Sequence, residues 1–255
     1  MDPLVILERR EPLATLTLNR AARHNSLVPA LLEELLVALE TVRDDPGLGA
    51  AVLQANGRSF STGGDLAGFR EQMEDLESYA QTLVSLLNRT IVALMELPIP
   101  LVAAVHGLVS GGSLGLVLGC DIVLVAPEAA FTPYYSVVGF SPDGGWTALL
   151  PAIIGRQRAA EVLLRNLTIT ADQAVAWGLA SRIVPAERIR DEALRVAAEM
   201  ASHKAGSIGY IKRLLRPPAL DLPNRLETER VCFVDQIRTE EARQGLVRFL
   251  EGMSR

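Results

Sequence analysis

Short apolar runs separated by turns characterise the first half of the chain. Leu13–Leu18 alternates apolar residues with threonine, and with Val5–Leu7 it predicts a hairpin that turns near Glu11-Pro12. Two later runs are continuously apolar, as in strands buried on both faces: Ala50–Leu53 and Leu101–Val105. Asp121–Val125 predicts another strand. Since helical segments separate these runs, the order of elements predicts an α/β architecture.

Two segments between the strands show the spacing of amphipathic helices. The first starts near Ser26, which we expect to cap it, and has Pro29 in its first turn. The second runs to Leu97 and stops before Pro98. The stretch Asp65–Glu77 is polar and lacks a clean period, so we expect a mobile loop there.

The last third of the chain is predominantly helical. Thr170-Ala171-Asp172-Gln173 predicts a capping box at a helix start, and Leu179–Val184 predicts the last short strand. Three helices are expected after it: Ala186–His203, Ser207–Leu215 and Asn224–Leu250. We therefore divide the chain into an α/β core, residues 1–185, and a C-terminal helical region, residues 186–255.

Bulk composition narrows the classes of function. The chain has 255 residues, of which 49% are hydrophobic and 22% charged, and its net charge is −5, so we expect a globular protein without a basic face for nucleic acid. Cys120 and Cys232 are too few for a disulfide framework. We see no signal peptide and no apolar run that spans a membrane, and therefore expect a cytoplasmic protein.

Two glycine-rich motifs follow apolar strands and are the strongest chemical signal. One is Phe60-Ser61-Thr62-Gly63-Gly64-Asp65-Leu66, and the other is Val105-His106-Gly107-Leu108-Val109-Ser110-Gly111-Gly112-Ser113. Glycine lets a main-chain N–H approach a ligand without an intervening Cβ. Two such N–H groups that donate to a single oxygen form an oxyanion hole.

This pair of motifs resembles the enoyl-CoA hydratase/isomerase (crotonase) family. Further similar segments extend the resemblance over almost the whole chain: Leu16–Arg20, Arg23–Leu27, Thr170–Ala174, Trp177–Leu179 and Ile183–Pro185. The resemblance implies a crotonase-like (ClpP/crotonase) core of repeated ββα units with a C-terminal helical trimerisation region. It also implies an acyl-CoA thioester substrate, no separate cofactor, and a homotrimer or a dimer of trimers.

The family positions map onto individual residues of this chain. Gly64 and Gly112 stand where the family has its two oxyanion donors. The resemblance implies that Arg23 contacts a CoA phosphate and that Tyr135 lines the acyl pocket. The remaining candidates for CoA or substrate binding are Ser26, Ser61, Asp65, Leu66 and, from the C-terminal helices, Lys212.

The chain departs from the hydratases of the family at both acid/base positions. Their two glutamates would fall at Gly115 and Tyr135, and neither residue supplies a carboxylate. Asp143, within Gly139–Trp146, instead resembles the single aspartate of an isomerase branch that includes the ring-epoxide isomerase of phenylacetyl-CoA breakdown. One carboxylate suits a proton shuttle between two carbons, which consumes no water.

Alternatives to an isomerase remain open at this point. Asp143 lies in Pro-Asp-Gly-Gly, which is also a common turn sequence. One alternative is a hydratase or other lyase whose water is held by other groups. Another is a CoA-ester-binding protein without turnover. We find no spacing of His, Cys and carboxylate residues typical of a metal site, and expect no metal.

An oligomer is expected from the apolar residues of the helical region, which exceed what a few terminal helices cover alone. They are Leu214, Leu215, Leu222, Val231, Phe233, Val234, Ile237, Leu246, Phe249 and Leu250. In this prediction, part of that surface packs against neighbouring subunits of a trimer.

Overall fold

In the computed structural model, which describes residues 2–215 and 221–253, nine strands form two sheets. The strands are β1 Val5–Arg10, β2 Leu13–Leu18, β3 Ala50–Ala55, β4 Leu101–Val105, β5 Leu108–Ser110, β6 Ile122–Val125, β7 Ala130–Thr132, β8 Ile169–Thr170 and β9 Arg182–Ile183. The larger sheet has the order β1-β2-β3-β4-β6-β9 and the smaller β5-β7-β8. Strand β1 is antiparallel to β2, with Val5 opposite Leu18, and all later pairs of the larger sheet are parallel.

The described α-helices alternate with the strands and then follow them. They are α1 Pro29–Asp44, α2 Leu66–Glu71, α3 Leu76–Glu96, α4 Leu114–Leu118, α5 Tyr135–Val138, α6 Leu150–Ile154, α7 Arg156–Arg165, α8 Ala171–Ala176, α9 Ile189–Ala201, α10 Ala205–Leu215, α11 Leu222–Ile237 and α12 Glu240–Met253. The alternation confirms the predicted α/β class. Among the described residues, no helix combines the length and apolarity that crossing a membrane requires.

The larger sheet is covered on both faces, which explains its continuously apolar strands. All residues of β3 and β4 are buried. On one face, Val52 and Ala104 pack with Ile189 and Val196 of α9. The alternate residues face the larger core that also contains the buried residues of α1 and α3. Helices from the C-terminal region therefore contribute to the core around the sheet; residues 216–220 and 254–255 of that region lie outside the described part.

Three loops meet where parallel strands of the larger sheet end. The loop after β3 forms one bridge between Gly64 and Leu27, in the loop after β2, and another between Ser61 and Val109 of β5, just after β4. Since the carboxyl ends of parallel strands lie at the same edge of a sheet, this placement follows from the topology. The two glycine motifs thereby become neighbours.

The expectation of a mobile loop over Asp65–Glu77 is wrong, since α2 and a 3-10 turn, Met73–Asp75, occupy it. The Asp65 carboxylate accepts a hydrogen bond from the Ala67 N–H at 3.2 Å and so caps α2. Phe69 is only 2% exposed. A cap and one buried aromatic ring stabilise a helix too short to show a period in the sequence.

Two other local predictions also need correction. Ser26 does not cap α1, whose N-cap is Val28; its hydroxyl instead accepts a hydrogen bond from Arg20 at 2.5 Å. The predicted helix over residues 224–250 is two helices, because α11 ends at Ile237 and Thr239 accepts from the Ala242 N–H at 3.2 Å at the start of α12. The capping box at Thr170 is confirmed.

Candidate active site

A cavity of about 490 Å³ lies beside the two glycine motifs. Its walls come from the loops after β2 and β3, from the segment around α5, and from α11 and α12. The lining is largely apolar, with polar groups gathered near the glycines and Asp143. This combination of an apolar cleft and a few convergent polar groups is typical of a small-molecule site.

The glycine motifs approach each other at backbone distance. Gly63 has a φ of +74°, and a Cβ on it would lie 2.5 Å from the Ser110 carbonyl oxygen, so only glycine fits this contact. The Leu27 N–H donates to Gly63 O at 2.7 Å, and the Asp65 N–H donates to Leu27 O at 3.0 Å. In such a parallel bridge the intervening Gly64 directs its own N–H away from Leu27.

Gly112 provides the second backbone group of the cavity. It lies in the 3-10 turn Gly111–Ser113 that leads into α4, and the first N–H groups of a helix lack acceptors within it. Ser113 stabilises the start of this turn, because its hydroxyl accepts a hydrogen bond from the Ser110 N–H at 3.2 Å. Gly64 and Gly112 both line the cavity. An anionic oxygen placed between such N–H groups is stabilised electrostatically.

Asp143 lies directly against Gly112. A Cβ placed on Gly112 would be 2.9 Å from Asp143 Oδ1, and a Cβ on Gly144, whose φ is +61°, would be 2.3 Å from Gly112 O. The Tyr135 hydroxyl donates to Asp143 Oδ1 at 2.5 Å. The carboxyl group thus lies at the wall of the cavity and is bound by Tyr135, with Asp143 only 6% exposed.

Burial raises the pKa of Asp143 to about 7, since a charged carboxylate is poorly solvated there. The hydrogen bond from Tyr135 lowers this pKa in part, and the negative charge of Glu229 raises it. Burial, followed by the charge of Asp143, raises the pKa of Tyr135 well above its ordinary value of 10, so the phenol remains the donor. A carboxyl group with its pKa near neutrality is suited to both taking up and releasing a proton, which general acid–base chemistry requires.

Gly115 and Tyr135, the two positions at which the sequence lacks an expected carboxylate, both lie in crowded surroundings. A Cβ on Gly115 would lie 2.3 Å from Ile91 Cδ1 and 2.7 Å from Gly144 O, so no side chain fits there. Tyr135 occupies the other position.

In the part of the chain that the structure describes, no three His, Cys, Asp or Glu side chains come together in a way that would hold a metal.

An ionic cluster lies at one side of the cavity. Arg20 Nη2 is 2.7 Å and Arg23 Nη2 3.6 Å from Asp65 Oδ2. Burial alone would raise the pKa of Asp65, but the hydrogen bond and charge of Arg20, with Arg23, outweigh it and lower that pKa. Asp65 is therefore an anion that orders this loop, while the Arg23 side chain is 52% exposed and lines the cavity.

Most residues singled out in the sequence line this cavity, and two do not. Those that line it are Arg23, Ser26, Gly64, Asp65, Leu66, Gly112, Tyr135 and Asp143. Ser61 is fully buried beneath the loop, and its hydroxyl donates to Asn25 O at 2.7 Å. Lys212 Nζ lies 2.7 Å from Asp121 Oδ2 and donates to Ile99 O at 2.9 Å, away from the described cavity lining.

Sequence reasoning missed an aromatic wall and a buried acid. The rings of Phe69, Phe140 and Phe233 have centroids 5.4–6.1 Å apart and line the cavity together. Glu229 is buried on α11 and contacts the segment after Asp143. The sequence does contain a signal for Glu229, because this glutamate lies on an otherwise apolar face of α11. The residues of that face are Leu222, Leu226, Glu229, Phe233 and Ile237.

Comparison with known proteins gives one consistent result. The family model described as enoyl-CoA hydratase/isomerase matches residues 8–254. The chain is 33% identical to 2,3-dehydroadipyl-CoA hydratase of Escherichia coli, covering 97% of this chain and 95% of that one. It is 32% identical to 1,2-epoxyphenylacetyl-CoA isomerase of the same organism, covering 92% and 91%. An enoyl-CoA hydratase/isomerase structure from Mycobacterium paratuberculosis superposes with a TM-score of 0.88 at 27% identity, covering 97% and 99%.

Proposed function

Because the chain belongs to the enoyl-CoA hydratase/isomerase family, we propose that it is an acyl-CoA isomerase that shifts a proton on an unsaturated or ring-strained acyl thioester. The observation that carries the proposal is Asp143, a buried carboxyl directly beside Gly112 whose pKa is raised to about 7. Neither Gly115 nor Tyr135 offers the second carboxylate of the two-glutamate hydration mechanism.

In the proposed reaction, the thioester oxygen lies between the N–H groups of Gly64 and Gly112. Asp143 removes a proton from one carbon of the acyl chain, and the electron pair moves onto the thioester oxygen as an enolate. The protonated Asp143 then returns the proton to another carbon, so the double bond moves and no water is consumed. Tyr135 keeps Asp143 in place through its hydrogen bond and lines the acyl side of the cavity.

The CoA portion of the bound substrate is proposed to extend out of the cavity on the side where the ionic cluster of Arg20, Arg23 and Asp65 lies. Arg23 contributes a partly exposed guanidinium for a CoA phosphate, next to Ser26, Asp65 and Leu66. Ser61 supports that loop from below. Lys212 is not among the residues that line this cavity, so its contact with CoA is proposed for the cavity of a neighbouring subunit in the proposed trimer or dimer of trimers. No cofactor besides the CoA of the substrate is proposed.

The isomerase proposal is tested with enoyl-CoA thioesters in deuterated solvent, followed by mass spectrometry and NMR. The expected result is a shifted double bond and no gain of water, with deuterium on the acyl chain in those turnovers in which the proton on Asp143 exchanges with solvent before it is returned. A hydrated product as the main species would instead support the hydratase alternative. Calorimetric binding of the same thioesters without turnover would support a CoA-ester-binding protein.

The pH dependence of kcat/KM is expected to follow Asp143. A base must be ionised to act, and burial holds the pKa of this carboxyl at about 7. Activity should therefore rise with pH through a midpoint near neutrality and level off above it. An acid limb with its midpoint near ~4, the value of an ordinary aspartate, would contradict this assignment.

The acyl specificity should favour neutral groups. Phe69, Phe140 and Phe233 form the wall on the acyl side, and among the described lining residues Arg23 is the one arginine or lysine, on the CoA side. A carboxylate at the far end of the acyl chain would lose its hydration on entering this part of the cavity without gaining a cationic partner there. We expect its kcat/KM to be at least ~10-fold lower than that of the matched methyl-ended thioester. Equal values for the matched pair would contradict the prediction.

A further inference from the structure

Glu229 of α11 accepts four hydrogen bonds from one short segment, three from backbone N–H groups and one from a side-chain hydroxyl. Its Oε2 accepts from the Gly145 N–H at 2.8 Å. Its Oε1 accepts from the Thr147 N–H at 2.8 Å, the Thr147 hydroxyl at 2.6 Å and the Ala148 N–H at 2.8 Å. Glu229 is only 4% exposed. All four donors lie two to five residues after Asp143, so this carboxylate binds the loop that carries Asp143.

The rest of α11 holds the same loop and the same cavity. Arg225, one turn before Glu229, donates to Thr147 O at 2.7 Å. Phe233, one turn after it, belongs to the aromatic wall. The loop itself contains Gly144 and Gly145, both at positive φ, and glycine backbone is the least restrained by local sterics. Its conformation therefore depends on contacts with α11.

The charge of Glu229 also bears on Asp143. The titratable groups of the described chain that act on Asp143 are Tyr135, which donates a hydrogen bond from α5, and Glu229, whose negative charge acts from α11. No cation of the described residues is among them. A second negative charge near a buried carboxylate favours its neutral form and strengthens it as a base once ionised.

We propose that Glu229 is a positioning residue, which holds the segment Gly145–Ala148 so that the Asp143 carboxylate stays against Gly112 in reach of the substrate. The proton-transfer part of this role rests on the proposed function, whereas the hold on the loop does not. In this proposal Glu229 acts on the position of Asp143 through Thr147 and the main chain of the loop. Glu229 itself does not contact the substrate. The C-terminal helical region then supports the site of its own chain through α11.

The test compares Glu229→Gln with Glu227→Gln, a control on the same helix whose side chain is 53% exposed and paired with Arg230. Carbon-13 NMR of aspartate side chains, with the Asp143 signal assigned from Asp143→Asn, reports its titration. We expect the Asp143 midpoint to fall by roughly 0.5–1 pH unit in Glu229→Gln, because the nearby charge is gone, and to stay unchanged in the control.

Kinetics supply a second readout on the same pair of variants. In Glu229→Gln, kcat should fall ~10-fold or more while KM changes little, since a loosened base affects the chemical step. Glu229→Asp keeps the negative charge, but its shorter side chain cannot reach all the donors of the loop. In this variant the titration midpoint of Asp143 should stay near the wild-type value while kcat falls. A folded Glu229→Gln protein with the wild-type midpoint and the wild-type kcat would overturn the inference.

Amide hydrogen exchange in the wild-type protein tests the inference even if Glu229→Gln does not fold. The amide protons of Gly145, Thr147 and Ala148 should exchange slowly, at rates comparable with those expected for the buried strands β3 and β4, because Glu229 accepts their hydrogen bonds. Exchange as fast as in exposed loops would overturn it. NMR titration and exchange need no substrate, so absence of isomerase activity would refute the proposed function and leave the Glu229 inference standing.

Discussion

Asp143→Asn should lower kcat by ~10²-fold or more and leave binding of acyl-CoA nearly unchanged. Asparagine has the shape of aspartate, and its Oδ1 can still accept the hydrogen bond that Tyr135 donates at 2.5 Å. What the variant loses is the ability to take up and return a proton. Steady-state kinetics with an isomerisable enoyl-CoA, together with calorimetry for binding, measure the two quantities separately.

Asp235→Asn provides the matched control for Asp143, because it makes the same chemical change at an exposed position of α11. It should retain wild-type kcat and binding. The Asp143→Asn protein should show a native circular dichroism spectrum and an ordinary unfolding transition. Full isomerase activity in that protein would mean that Asp143 is a turn residue and that another group moves the proton.

Gly112→Ala is expected to reduce kcat/KM by ~10²–10³, the range typical for loss of one oxyanion donor. The added Cβ would lie 2.6 Å from Leu87 Cδ2 and 2.9 Å from Asp143 Oδ1. Either the carboxylate or the backbone of the 3-10 turn must move, and both groups belong to the proposed reacting geometry. Since Gly112 is not among the glycines at positive φ, its backbone is open to alanine, and the effect should be local and leave the fold intact.

Gly206→Ala is the corresponding control for Gly112. It lies in α10, where an added Cβ meets no atom within 4 Å. Because alanine is the better helix former, this variant should gain roughly 0.5–1 kcal/mol of stability at full activity. Alanine keeps the N–H itself, so a folded Gly112→Ala protein with wild-type kcat/KM would show that the close packing of Gly112 against Asp143, which the added Cβ disturbs, is not needed for the reaction.

The sequence by itself determined the parts of this protein that depend on neighbours along the chain. The apolar runs of β3 and β4, the amphipathic period of α3 and the capping box at Thr170 are local patterns, and the structure confirms each. The glycine motifs after two parallel strands also had to meet at one sheet edge. These features follow from backbone geometry and burial period, which a short window of sequence contains.

Only the tertiary structure decided what surrounds each chemical group. Phe69 stabilises a helix in a segment without a period because it is buried against Phe140 and Phe233, from distant parts of the chain. Gly115 excludes any side chain because Ile91 lies above it.

The surroundings of Asp143, the proposed base, depend most on contacts between residues far apart in the sequence. The pKa of Asp143 is raised to about 7 by burial and by Glu229, a residue of α11. Glu229 also holds Gly145 across 84 positions of sequence. Desolvation and Coulomb interactions depend on distance in space. The sequence could therefore single out Asp143 as a candidate, while its environment as a base arises only when the C-terminal helices pack against it.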